Sequence, residues 1–230
     1  MHLFLQLQNN SSNSKKKDNF FLMPLFYQHN INDSAKLAVW HITENEEFFL
    51  EEITIQKGIM HPHKRLQHLA GRYLLKILHP DFPLHLIEIA TSKKPLLANH
   101  EFHFSISHCG DYAAAIVSEN KIVGIDVELI TPKIELVKNK FLNESEIMLS
   151  ETASQTLKYQ LLTLFWSSKE AIYKWYGKGA LSFKKNMGLE QLFFENERGI
   201  IDAYFLKDER IDLKIEFRFF DNLCLAWVVE

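Results

Sequence analysis

Residues 155–177, QTLKYQLLTLFWSSKEAIYKWYG, carry the longest helical pattern in the chain, and that pattern limits what the rest can be. Leu157, Leu161, Leu164, Phe165, Ser168 and Ile172 recur at the spacing of one helix face. Such a stripe must be buried against another layer of structure. Gly177 is the expected C-cap. On both sides the chain reads as strand: FHFSIS (102–107), YAAAIVSE (112–119) and KIVGIDVE (121–128) before it, and IIDAYFLK, IDLKIEFRFF and NLCLAWVVE after it. Further upstream, KLAVWHI alternates as a strand and NEEFFLEEI reads as a short helix. HPHKRLQHLAGRYLLKIL reads as a second long helix with Pro62 near its start, and KIELVKNKF as a short one. Helices and strands thus occur on both sides of about residue 120, which predicts an α+β fold.

At 230 residues the chain is long for one ordinary domain and short for two, so two half-size lobes sharing a core are a third arrangement. Hydrophobic residues at 47% and charged residues at 24% suffice for a sizeable core. A net charge of −3 offers no global basic excess for duplex nucleic acid or an anionic membrane, so any anion site is local. No apolar run approaches the roughly 20 residues that span a bilayer. Cys109 and Cys224 allow at most one bridge, and a reducing, cytoplasmic setting is expected. Residues 8–19, QNNSSNSKKKDN, have almost nothing to bury. Residues 1–22 are therefore expected to be a disordered extension, with Met23 a possible biological start.

Three segments carry chemistry. In Gly124-Ile125-Asp126-Val127-Glu128 a strand sends Val123, Ile125 and Val127 to one face and Gly124, Asp126 and Glu128 to the other. Two carboxylates that repel each other on one face suit a hard divalent cation such as Mg²⁺. Gly124 is expected to leave that face open to a phosphate. Ordinary surface acids would read the same way. In Trp166-Ser167-Ser168-Lys169-Glu170-Ala171-Ile172-Tyr173-Lys174, residues 166, 170 and 174 share a helix face apart from the buried stripe. There Glu170 can ligate a metal while Lys174 meets a phosphate oxygen. A plain i,i+4 pair, worth about 0.2–0.5 kcal/mol, is the simpler alternative. In Phe102-His103-Phe104-Ser105-Ile106-Ser107-His108, a hydroxyl and an imidazole fall at the expected strand end, where they suit an anion or merely close a turn. On the helix over 61–78, Arg65, His68 and Arg72 flank the apolar stripe.

Taken in order, these segments resemble the 4′-phosphopantetheinyl transferase superfamily, whose pattern is a G-[IV]-D-x-E strand followed by W-x-x-K-E-[AS]-x-x-K on a helix. Lys94-Pro95, Ser107-His108 and Gly177-Lys178-Gly179 match as well, so the resemblance covers about residues 60–185. Two strand acids and the chain length point to the larger, surfactin-synthetase-activating type. The resemblance implies two similar α+β lobes related by a pseudo-twofold, here 23–120 and 121–230, with coenzyme A between them. It implies Mg²⁺-dependent transfer of phosphopantetheine from coenzyme A to a serine of an apo acyl or peptidyl carrier protein by a cytoplasmic monomer, releasing adenosine 3′,5′-bisphosphate. Asp126, Glu128 and Glu170 would ligate Mg²⁺, Glu170 would act as general base, and Lys174 would hold the diphosphate. Asp126 and Lys174 would thereby also form part of the coenzyme A site. Ser107, His108, Arg65, Arg72 and Lys94 would contact coenzyme A. Lys169 belongs to the motif, and both a phosphate contact and a fold or carrier contact stay open for it.

Three rivals differ in class. A metal-dependent nuclease would place its E-x-K element on a strand, whereas E-x-x-x-K here lies on a helix. A non-catalytic module binding coenzyme A or a carrier would have no need of the full acid set. A purely structural domain would make every motif match accidental.

Overall fold

The computed structural model describes residues 5–7, 25–54, 58–99 and 101–230. Of the extension expected over 1–22, only Leu5–Leu7 fall among these, as strand β1. The remainder of that extension, and Met23 after it, lie outside the described residues.

The N-terminal half is built from β2 (Leu25–Asn30), β3 (Ala35–His41), α1 (Glu46–Leu50), α2 (Pro62–Leu78), β4 (Ile87–Ile89), β5 (Pro95–Leu97), β6 (His103–Cys109) and β7 (Tyr112–Ser118). Strands β2, β3, β7 and β6 form one antiparallel sheet in that order. Helix α2 starts at Pro62 and covers one face of it, burying Leu69, Ala70, Leu74, Leu75 and Leu78 with Trp40, Phe49 and Phe104. The C-terminal half contains β8 (Val123–Leu129), α3 (Lys138–Phe141), α4 (Glu144–Glu151), α5 (Gln155–Tyr176), α6 (Phe183–Asn186), β9 (Met187–Glu195), β10 (Arg198–Leu206), β11 (Arg210–Phe220) and β12 (Leu223–Val229). Its sheet runs β1-β9-β10-β11-β12-β8, with α5 packed on one face through Leu161, Leu164, Phe165, Ile172 and Trp175. Gly177 ends α5 in the left-handed conformation, as its position after the stripe predicts. The fold is α+β.

A third core lies between the two sheets. Leu37, Val39, Ala114 and Ile116 of the first sheet meet Val123, Ile125, Val127, Leu225 and Trp227 of the second. Beside it β6 runs along β8. Alternation turns Ser105, Ser107 and Cys109 of β6 towards β8. Ser105 Oγ accepts from Ile125 N at 3.3 Å, Ser107 Oγ from Val127 N at 3.3 Å, and Cys109 Sγ from Leu129 N at 3.5 Å. These side chains satisfy backbone N–H groups that β8, the last strand of its sheet, offers to no strand.

Several expectations need correction. β6 continues to Cys109, so Ser107 and His108 lie inside the strand and not at its end. KIELVKNKF divides into a 3₁₀ turn, Pro132–Leu136, and α3. β2 and β9 carry no clear alternation in the sequence. In β9 a register shift opposite Asp202 and Ala203 explains this, because buried Leu189 and Leu192 stand three residues apart. Gly124 does not leave an open face for a phosphate. A Cβ placed there would lie 2.0 Å from the carbonyl oxygen of Ala171 and 2.7 Å from the nitrogen of Trp175. The glycine lets α5 lie directly on β8, and the touching residues immediately follow Glu170 and Lys174 in sequence.

Backbone atoms cannot rotate aside as a side chain can. Gly124→Ala should therefore destabilise the fold by about 3 kcal/mol, the upper part of the usual overpacking range. Urea unfolding measures this, and a loss under about 1 kcal/mol would contradict the close helix–strand contact.

Candidate active site

The close approach of α5 to β8 brings the acids of both elements together. Asp126 is 3% exposed, and its Oδ1 accepts from Ser107 Oγ at 2.8 Å and from Lys174 Nζ at 2.7 Å. Lys174 Nζ also donates to Ser107 Oγ at 2.7 Å. With Val127 N as a further donor, the Ser107 hydroxyl gives one hydrogen bond and accepts two, which uses its full capacity. Asp126 Oδ2 is buried without a hydrogen-bond partner. On the same strand Glu128 Oε1 accepts from Trp166 Nε1 at 3.2 Å, and the Cys109 thiol also hydrogen-bonds Glu128.

The carboxyls crowd one another. Burial pushes Glu170 up to about 7, with the charges of Asp126 and Glu128 adding to the rise and Lys174 opposing it. Burial, then Asp126, also raises Glu128, against the hydrogen bonds from Cys109 and Trp166. Burial first, then Glu128, raises the Cys109 thiol to about 12 and keeps it protonated. A buried carboxylate oxygen without a donor, within a set of acids that hinder each other's ionisation, fits a hard divalent cation. Among the described residues, no three His, Cys, Asp or Glu side chains are grouped to hold a metal ion as they stand. The Lys174 ammonium supplies the positive charge at Asp126.

Beside the acids opens a cavity of about 300 Å³, lined among others by Ser92, Lys94, Ser105, Glu170, Tyr173 and Lys174. Lys94 and Ser92 close the C-terminal end of α5. Ser92 Oγ donates to Gly177 O at 2.6 Å and Lys94 Nζ to Trp175 O at 3.4 Å, a favourable place for a cation. Burial lowers Lys94 to about 8.

A basic group adjoins the acids through His108, which feels the charges of Asp126 and Lys174. Arg72 Nη1 lies 3.0 Å from His68 Nδ1. Burial first, then Arg72 and His108, lowers His68 to about 4, so its imidazole is neutral and Nδ1 accepts from Arg72. Partial burial, with Lys174 and His63, also lowers His108, while its backbone hydrogen bond and Asp126 act in the opposite direction. Arg65 is drawn elsewhere and pairs with Glu46 of α1. Thus Asp126, Glu128, Glu170, Lys174 and Ser107 stand together, Glu170 and Lys174 share the cavity with Lys94, His108 adjoins Asp126 and Lys174, Arg72 is held by His68, and Arg65 stands apart in an ion pair.

Sequence reasoning left Lys169 open, and the structure gives it a fold contact. Its side chain is fully buried, and Nζ donates to Glu146 Oε2 at 2.7 Å, to Phe141 O at 2.9 Å and to Phe183 O at 3.3 Å. Glu146 also accepts from Asn143 N in a capping box at the start of α4 and from Leu189 N of β9. The signal available in the sequence was Asn143 three residues before Glu146.

Residues 122–228 match the family model described as the 4′-phosphopantetheinyl transferase superfamily. The matched stretch is just under half of the chain and carries Asp126, Glu128, Glu170 and Lys174. The chain is 33% identical over 119 residues to 4′-phosphopantetheinyl transferase psf-1 of Bacillus pumilus, covering 48% of this chain and 50% of that protein. It is 28% identical over 142 residues to 4′-phosphopantetheinyl transferase gsp of Aneurinibacillus migulanus, covering 59% of each. The chain thus spans little more than half the length of these curated relatives. Among solved structures, holo-[acyl-carrier-protein] synthase of Thermotoga maritima matches at 24% identity and a TM-score of 0.35, covering 47% of this chain and 62% of that one.

Removing one member of the Lys169–Glu146 pair leaves a buried charge without its partner. Lys169→Ala should cost about 3–5 kcal/mol of stability, read by urea unfolding. A loss under about 1 kcal/mol would disprove the internal strut.

Proposed function

We propose that the chain transfers the phosphopantetheine group of coenzyme A to a serine hydroxyl of an apo acyl or peptidyl carrier protein. The observation that carries this reading is the buried meeting of Asp126, Glu128, Glu170 and Lys174 beside a cavity, with the basic group of His108, His68 and Arg72 adjoining them. Similarity to enzymes named for this activity supports it. The proposal includes a pseudo-twofold relation between lobes 23–120 and 121–230, with coenzyme A between them, and a cytoplasmic monomer. No helix among the described residues is long and apolar enough to cross a membrane.

Each residue has a role in this reading. Asp126, Glu128 and Glu170 would hold Mg²⁺, and Asp126 has its unpartnered Oδ2 for this. When bound, Mg²⁺ supplies charge neutralisation to the diphosphate oxygens of coenzyme A. Glu170, poised near neutrality, accepts the proton of the carrier serine as its oxygen bonds to the phosphorus of phosphopantetheine. The bond from that phosphorus to the bridging oxygen breaks, and the electron pair leaves on adenosine 3′,5′-bisphosphate. Lys174 stabilises the charge gathering on the departing group. Ser107 orients both Asp126 and Lys174 from the far side. Arg72 and His108 receive phosphate oxygens of the adenosine portion, and Lys94 lines the cavity. Arg65 reaches a phosphate only by leaving Glu46.

Purified protein with coenzyme A, Mg²⁺ and a panel of apo carriers, followed by intact-mass analysis, should show a carrier gaining phosphopantetheine. Asp126→Ala and Glu170→Ala should each abolish the gain with the fold intact, and EDTA should stop it until Mg²⁺ is returned. Wild-type turnover in either variant refutes the assignment.

The pH dependence has a definite sign. Only the ionised Glu170 accepts a proton, so with a pKa of about 7 about a tenth of it is active at pH 6. At limiting Mg²⁺, kcat/KM should rise through pH 7 and level off above it. More Mg²⁺ should move that rise to lower pH, because a nearby cation favours the carboxylate. A rise that ignores Mg²⁺ concentration would separate Glu170 from the metal.

A further inference from the structure

Glu128 differs from the other two acids in how it is held. Asp126 is paired with Lys174, whereas Glu128 is gripped by two neutral donors from opposite halves of the molecule. One is the indole N–H of Trp166 on α5, 3.2 Å from Oε1. That indole is itself fixed by Phe141, with ring centroids 5.1 Å apart, and by Phe183 at 5.6 Å. The other donor is the Cys109 thiol of β6. The thiol sulfur meanwhile accepts from Leu129 N at 3.5 Å. Cys109 therefore serves Glu128 as Ser107 serves Asp126, since each accepts from a β8 backbone N–H and bonds to the carboxyl one residue earlier.

We propose that Trp166 and Cys109 are positioning residues that together fix the Glu128 carboxylate for the divalent cation. The inference rests on the function proposed above. A carboxylate on a flexible two-carbon stem has several rotamers open to it. One donor from each half selects the rotamer in which the Glu128 carboxyl stands beside Asp126. Neither donor takes part in the reaction proposed above. A neutral donor is the suitable choice here, because it orients a carboxylate without cancelling the charge that the cation is to meet. A lysine at either place would compete with the cation. It follows that the ligand set is completed only when β6 of the first half is docked on β8 of the second.

The test measures Mn²⁺ binding directly, by electron paramagnetic resonance of the free ion in the presence of saturating coenzyme A. Trp166→Phe keeps a ring between Phe141 and Phe183 but removes the N–H, and should weaken Mn²⁺ binding about 10- to 100-fold. Cys109→Ala should weaken it by a smaller factor, and Cys109→Ser, which keeps a donor, should restore it. In transfer assays the Mg²⁺ concentration for half-maximal rate should rise, while kcat at saturating Mg²⁺ changes less. Wild-type Mn²⁺ affinity in both Trp166→Phe and Cys109→Ala overturns the inference and leaves the proposed function standing. Absence of Mn²⁺ binding to the wild-type protein with coenzyme A overturns the proposed function itself. Should Trp166→Phe fail to fold by circular dichroism, the Cys109 pair decides. Equal affinity of Cys109→Ala and Cys109→Ser then counts against the idea.

Discussion

The rest of the structure depends on the way β6 docks on β8. An outer strand presents a row of N–H groups, and leaving one unsatisfied when buried costs about 1–3 kcal/mol. β8 is such a strand, and its outward groups at Ile125, Val127 and Leu129 are taken by side chains of β6 and not by its backbone. The two sheets therefore meet without merging into one ladder. Side chains also differ from a backbone ladder in having hydrogen-bonding capacity left over. Ser107 and Cys109 use theirs on Asp126 and Glu128. One row of contacts thus joins the halves and orients the acids, so folding of the seam and assembly of the site are a single event.

The second constraint comes from the face of the same strand that carries Asp126 and Glu128. Gly124 lets the backbone of α5 rest on β8 at Ala171 and Trp175. This contact fixes which turn of the helix stands beside which strand residue. Glu170 and Lys174 precede the two touching residues, so their height above Asp126 is set by backbone contact and not by side-chain flexibility. Deeper in the same half, Lys169 ties the start of α4, the end of α3, α6 and β9 to the helix carrying Glu170. The lysine and glutamate adjacent in the motif thus point to opposite environments, one into the dry interior and one into the cleft.

Much of this was legible in the sequence where the signal is local. The stripe of α5, the cap at Gly177, Pro62 at the start of α2 and the shared face of Asp126 and Glu128 all follow from spacing within one element. What stayed hidden depends on partners far along the chain. The hydroxyl of Ser107 reads as an anion contact until Asp126 and Lys174 are seen to saturate it. Lys169 looks like its neighbour Lys174 until Glu146, from a separate helix, appears beside it. Arg65 and Arg72 share one flank of α2 in sequence, yet Glu46 draws the first away. β9 escapes notice because a bulge breaks its alternation, and Gly124 looks open because nothing local announces the helix above it.

Charge balance explains how such a crowded set of acids can exist in a folded protein. Three carboxyls face one ammonium in a largely buried region. Ionising all three would leave two negative charges without a counterpart, which costs heavily in low dielectric. The protein avoids that cost by keeping Glu170 partly protonated near neutrality and by giving Glu128 neutral donors. In the adjoining basic group, burial lowers the pKa values of Arg72, His68 and His108, which lack enough negative charge around them. The acids want a cation and the basic group wants an anion. On the function proposed above, a single ligand that carries diphosphate together with a divalent metal would answer both needs, because its negative and positive charges meet the basic group and the acids at once.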